Sequence, residues 1–151
     1  GHSERRQNYN ESNKLINQKL KILINNNIVP ILCVGESLGE RELSQSDRVI
    51  SSQLSQCLYG IEKTNIIVAY EPIWAIGSGK SASAEDISNM NNLIRNCMNK
   101  LGYINDQFYI LYGGSVGIDN LLSIKEASLL DGFLIGGASL QASTFWKIID
   151  K

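Results

Sequence analysis

Glu71 closes a short apolar run, 66–70, and is followed at once by Pro72-Ile73-Trp74-Ala75-Ile76-Gly77-Ser78-Gly79-Lys80. A carboxylate at that point, taken out of water beneath a covering loop, has the setting of a general base. Left uncovered it would be an ordinary solvated strand-end carboxylate. The loop has the make-up of a lid, with stiff Pro72 and bulky Ile73, Trp74 and Ile76 at one end and hinge-permissive Gly77 and Gly79 at the other. An indole on a surface loop gains little unless the loop closes over something apolar. Gly77-Ser78-Gly79-Lys80-Ser81 resembles part of a nucleotide P-loop, but that motif needs glycine five positions before Gly79, where Trp74 stands.

Two further segments could hold an anion: Gly113-Gly114-Ser115 and Gly136-Gly137-Ala138-Ser139. Each follows an apolar run, and glycines before a small hydroxyl residue let backbone N–H groups approach a phosphate closely. One such segment is equally a plain turn, whereas two after successive strands suggest a shared cradle. His2 is the single histidine, so a multi-histidine metal site is excluded and any imidazole chemistry must use this residue. Cys33, Cys57 and Cys97 form no Cys-x-x-Cys pair and imply reduced, buried thiols.

The elements that must position these residues alternate regularly. Strand candidates are 29–34, 66–70, 108–112 and 132–135. Between them lie stripes with helical spacing: Leu15, Ile16, Leu20, Leu23 and Ile24; Val49, Ile50, Leu54, Cys57 and Leu58; and Ile87, Met90, Leu93, Ile94, Cys97 and Leu101. Ser83 with Asp86 predicts the start of the third helix and Gly102 its end. A fourth helix is expected over about 115–127, and a last one capped by Ser143. Apolar strands alternating with helices predict an α/β fold with a parallel sheet, either an open doubly wound sheet or a section of a (β/α)8 barrel. In both, chemistry gathers at the C-terminal ends of the strands, where Glu71 and the glycine pairs fall.

Composition narrows the partners. The 151 residues carry a net charge of −1 and are 43% hydrophobic and 19% charged. That balance lacks the basic excess expected for nucleic acid or an anionic membrane surface. No apolar run approaches the roughly 18 residues of a membrane span, and the first residues carry no signal-peptide pattern, so a cytoplasmic location is expected. No linker or composition break divides the chain, which is expected to form one unit over 1–151.

Five blocks together carry a family resemblance. They are Gly1-His2-Ser3-Glu4-Arg5-Arg6, Leu32-Cys33-Val34-Gly35-Glu36, the stretch 69–80 around Glu71-Pro72-Ile73-Trp74, Tyr112-Gly113-Gly114-Ser115-Val116, and 131–140 around Gly136-Gly137-Ala138-Ser139. In order and spacing they resemble the signature blocks of the triosephosphate isomerases. The resemblance implies a (β/α)8 barrel, represented here by its C-terminal part with strands five to eight. It implies interconversion of dihydroxyacetone phosphate and glyceraldehyde 3-phosphate through an enediolate, in glycolysis and gluconeogenesis, with no cofactor and no metal. By resemblance, and by the mechanism known for the family rather than from these residues alone, Glu71 is the proton-transferring base and His2 the neutral electrophile. Gly77, Ser115, Gly136 and Gly137 would then bind the phosphate. Glu4 and Arg41 would support the barrel mouth, and Lys80 would end the lid.

The resemblance covers about three-fifths of the family's length of roughly 250 residues. The family's Asn-x-Lys block, whose lysine holds the phosphate, and its dimer-forming third loop are not among these residues. A homodimer is implied for the full-length protein. The chain is therefore expected to be part of a larger enzyme, inactive by itself; a non-catalytic fragment and another phosphate-binding barrel enzyme are the alternatives.

Overall fold

The computed structural model describes residues 1–76, 81–127 and 129–150. Four parallel strands form one sheet in the order β1-β2-β3-β4: β1 (Ile31–Val34), β2 (Ile66–Tyr70), β3 (Phe108–Tyr112) and β4 (Gly132–Phe133). Each connection between successive strands carries at least one helix, as a parallel sheet requires. The helices are α1 (Ser3–Tyr9), α2 (Asn13–Asn25), α3 (Leu38–Glu42), α4 (Ser46–Cys57), α5 (Ala84–Lys100), α6 (Leu121–Lys125) and α7 (Ala142–Ile149). An α/β fold with a parallel sheet is thus observed, consistent with an incomplete barrel. Among the described residues, no helix is long and apolar enough to cross a membrane.

The core lies on one side of the sheet. Leu32 and Val34 from β1, Ile66, Val68 and Tyr70 from β2, and Phe108, Ile110 and Tyr112 from β3 all point into it. There they meet Ile16 and Leu20 of α2, Ile50, Leu54 and Cys57 of α4, and Ile87, Ile94 and Met98 of α5. Each buried side chain of this size is worth about 1.5–3 kcal/mol relative to exposure. The alternate strand residues face the other way. The register sets Ile31 beside Ile67 and Ile67 beside Tyr109, a layer in which Ile31 and Tyr109 remain 44% and 57% exposed.

Most element boundaries follow from capping. Ser83 and Asp86 form a reciprocal capping box at the start of α5. At its far end Gly102 adopts φ +90°, while Tyr103 N–H donates to the Met98 carbonyl. Several expected boundaries shift. Residues 29–30 do not join β1, because Pro30 has no N–H to give a ladder. The expected helix after Ser115 begins only at Leu121, because Asn120 pins the intervening loop. Its side chain accepts from Gly117 N–H and donates to the Ser115 carbonyl. Ser143 is not a cap; it lies inside α7, whose N-cap is Gln141. β4 is two residues long instead of four. Leu15 faces solvent, outside the buried stripe of α2. Two short helices, α1 and α3, add to the expected set.

Candidate active site

Glu71 follows β2 directly and is 2% exposed. Its backbone N–H donates to the Val34 carbonyl, extending the ladder and fixing where the side chain leaves the sheet. One carboxylate oxygen, Oε2, accepts the Ser3 backbone N–H at 2.9 Å. The other, Oε1, is buried and makes no hydrogen bond within the protein. It sits 3.2 Å from His2 Nε2, close but not aligned for a hydrogen bond. Leaving a buried carboxylate oxygen unbonded is costly, so the position is strained in favour of an incoming proton donor.

His2 is placed by α1. It is the N-cap residue, and its Nδ1 accepts the Glu4 N–H at 3.2 Å. An accepting Nδ1 carries no proton, so a neutral ring carries its proton on Nε2, the nitrogen facing Glu71. The helix thus fixes both the orientation and the tautomer of the imidazole.

Close backbone approach packs Glu71 between two turns. A Cβ on Gly35 would lie 1.8 Å from the Glu71 carbonyl oxygen, and one on Gly113 would lie 2.9 Å from Glu71 Cγ. Gly35 is gripped from outside by Gln53 of α4, which accepts its N–H at 2.9 Å and donates to its carbonyl at 3.0 Å. Cys33 is the thiol next to Glu71. Burial first, then the Glu71 charge and hydrogen bond, push its pKa up to about 12, so it stays a neutral thiol.

His2 and Glu71 open onto a cavity of about 850 Å³ whose wall includes Ile76, Ser81, the turn from Gly113 to Gly117, and the segment from Leu134 to Gly137. Ser115, Gly136 and Gly137 all line it, together with the two candidate catalytic residues. The Ser115 hydroxyl donates to the Ala75 carbonyl at 2.6 Å, so its oxygen keeps lone pairs while its proton ties the turn after β3 to the arm after Glu71. Gly136 and Gly137 open a 3-10 turn whose own bonds run from Ser139 N–H to the Gly136 carbonyl and from Leu140 N–H to the Gly137 carbonyl. The first N–H groups of such a turn are left for an outside acceptor. Gly77 and Lys80 lie outside the described residues. Glu4 is exposed and enters through its backbone N–H on His2, not through its carboxylate.

Residue-type reasoning gave no role to Glu36. It is fully buried, and its Oε1 accepts from Tyr70 Oη at 3.0 Å and from Trp74 Nε1 at 2.9 Å. Burial, then the Glu36 charge and hydrogen bond, hold the Tyr70 phenol well above its ordinary range. Arg41 stacks on Trp74 at 4.4 Å and donates to Asp86 Oδ1 at 2.7 Å. The arm carrying Trp74 is therefore fastened through Glu36 and Arg41. Tyr112 adds a tie at the far side, its hydroxyl accepting from Ala82 N–H at 3.3 Å. The available sequence signal was a glutamate one glycine beyond an apolar strand, close to the signal that marked Glu71, which follows its strand directly.

A family model described as Triosephosphate isomerase matches residues 1–151. The triosephosphate isomerase of Mycoplasmopsis pulmonis is 46% identical over 149 residues, covering 99% of this chain and 58% of that protein. That of Dictyoglomus thermophilum is 42% identical over 154 residues, covering 99% and 62%. That of Finegoldia magna is 44% identical over 156 residues, covering 99% and 62%. The chain spans about three-fifths of the length of the curated relatives it matches. With the match running from the first residue to the last, the chain belongs to the triosephosphate isomerase family.

Proposed function

We propose that this chain supplies the proton-transfer site of an isomerase that interconverts dihydroxyacetone phosphate and D-glyceraldehyde 3-phosphate. The observation that carries the reading is the unbonded, buried Oε1 of Glu71 beside His2 Nε2, at the mouth of a cavity lined by two glycine turns. Glu71 removes a proton from the hydroxyl-bearing carbon next to the carbonyl, and His2 Nε2–H donates to the carbonyl oxygen as it takes on negative charge. That oxygen gains a proton through His2 Nε2 while the neighbouring hydroxyl gives its proton up to the same nitrogen, and the protonated Glu71 carboxyl returns its proton to the former carbonyl carbon. Atoms and electrons balance within the substrate, so the reaction consumes no redox cofactor. The backbone N–H groups at Ser115, Gly136 and Gly137 hold the phosphate, with Gly77 as a further donor. A positioned base contributes about 10²–10⁴-fold, and a preorganised donor at the oxyanion about 10²–10³-fold. A cytoplasmic location and a homodimer of the full-length protein complete the proposal.

The test is a hybrid in which these 151 residues replace the matched stretch of the Mycoplasmopsis pulmonis relative, assayed for triose phosphate interconversion. The Glu71→Gln hybrid should lose kcat by about 10²–10⁴-fold with an unchanged circular dichroism spectrum. A rate within a few-fold of the parent hybrid refutes Glu71 as the base. A folded parent hybrid with no isomerase activity refutes the reaction itself.

A further inference from the structure

Glu71 is held at its backbone as well as at its carboxylate, and the backbone grip centres on Gly35. Glu71 N–H donates to the Val34 carbonyl at 2.8 Å, and two residues on, Ile73 N–H donates to the Glu36 carbonyl at 3.0 Å. The segment carrying the base is thus bracketed by the residues on either side of Gly35. Successive backbone groups of an extended chain turn to opposite sides, so the N–H and carbonyl of Gly35 face away from that segment. Among the described residues β1 has no strand neighbour there. The Gln53 side chain stands in that place: its Oε1 accepts the Gly35 N–H at 2.9 Å and its Nε2 donates to the Gly35 carbonyl at 3.0 Å. One side-chain amide supplies an acceptor and a donor side by side without charge, which neither a carboxylate nor an ammonium does.

The grip is rigid at its root and tight at its tip. Gln53 belongs to α4, whose Ile50, Leu54 and Cys57 are wholly buried in the core. At the other end, a Cβ on Gly35 would lie 1.8 Å from the Glu71 carbonyl oxygen, so the two backbones already touch. Neither Gln53 nor Gly35 lines the cavity. Taking Glu71 as the base, as proposed above, we infer that Gln53 is a positioning residue for it. The α4 amide sets where Gly35 stands, and Gly35 sets where the Glu71 backbone, and with it the carboxylate, stands. Ser3 N–H holds Oε2 and Gly113 bounds Cγ, but both act beyond the point where the side chain leaves the backbone.

The experiment uses the full-length hybrid enzyme and builds a double-mutant cycle between Gln53→Met and Glu71→Asp, read as kcat and KM. Methionine keeps the length of the side chain and removes both hydrogen bonds. In the parent hybrid, Gln53→Met should lower kcat on the order of 10–100-fold with KM within about threefold, as a displaced base does. In the Glu71→Asp background the carboxylate is already out of place by a methylene, and the same substitution should cost less than about threefold more. A residue that only supports the fold lowers the folded fraction and subtracts the same factor in both backgrounds, so equal factors overturn the inference. Unchanged kcat in Gln53→Met overturns it as well. Gln53→Glu keeps the acceptor for the Gly35 N–H but, ionised, has no donor for the carbonyl; it should fall between parent and Gln53→Met, and it carries the cycle if the methionine variant does not fold. Failure of both variants to fold makes Gln53 a folding residue and overturns the inference. Ser55→Ala, an exposed position on the same helix, should leave kcat and KM as in the parent, and a loss there equal to that at Gln53 also counts against it. An inactive parent hybrid, or a Glu71→Gln hybrid as fast as the parent, refutes the reading of Glu71 and takes this inference with it; an active parent with equal factors refutes Gln53 alone.

Discussion

The Glu71 carboxylate has one oxygen held and one oxygen free, and the turns packed against it set how far it can move. Gly113 is the sharper probe of the two flanking glycines, because its Cβ would press on Glu71 Cγ, the flexible part of the side chain. Gly113→Ala in the hybrid enzyme should therefore displace the carboxylate without unfolding the chain. A displacement of about 1 Å costs on the order of 10²-fold in rate. The expected result is a fall in kcat of that order with a smaller change in KM; equal activity of parent and variant would show that the contact relaxes without moving the base. Gly35→Ala presses instead on the Glu71 backbone carbonyl, which cannot swing aside. That change should act on folding, lowering stability by about 1–3 kcal/mol or more as an overpacked site does, measured by denaturant titration.

At the scale of elements, α5 shows how much of the fold sits in a few caps. Ser83→Ala removes the acceptor for the Asp86 N–H and should cost about 1 kcal/mol in thermal or denaturant unfolding. Asp86 also makes the start of α5 sensitive to acid. Partial burial opposes its ionisation, but the hydrogen bonds from Arg41 and Ser83 outweigh that and hold its pKa below the ordinary value. A depressed folded-state pKa gives stability that is present above the unfolded value, about 3.9, and lost as pH falls through the folded value. The stability gap between parent and Asp86→Asn should thus be constant near neutrality and close in the acid range below about pH 4. A gap unchanged down to pH 2 would show that the pair does not titrate. These caps also mark what the sequence made legible. Ser83, Asp86 and Gly102 are local signals, and α5 is where they put it. The loop from Ser115 to Asn120 was not legible, since the Asn120 side chain donates back to the Ser115 carbonyl and accepts from Gly117 N–H, a closure with no period to detect. The Glu36 cluster was hidden for another reason: Tyr70, Trp74 and Arg41 converge from three segments, and only the fold brings them together.

For the whole molecule, the decisive feature is a sheet covered on one side. On the face away from the helices Ile31 and Tyr109 are exposed while Cys33 and Ala69 are buried. At ~2 kcal/mol each, the two exposed side chains represent ~4 kcal/mol of unburied apolar surface, a large share of a domain's roughly 5–15 kcal/mol. The 151-residue chain by itself should bind an apolar dye, associate as its concentration rises, and show negligible isomerase activity in a coupled assay. A soluble monomer with near-normal turnover would contradict this expectation outright. The two faces also divide strand β3 into residues with different histories ahead of them. Phe108 is buried in the helix-side core, so a change in its size can be compensated by drift at Ile94 or Met98 in the same core. Tyr109, one position along, faces away from that core and is 57% exposed. Drift at Tyr109 has no partner in that core to compensate it, so adjacent positions of a single strand should tolerate substitution under separate rules.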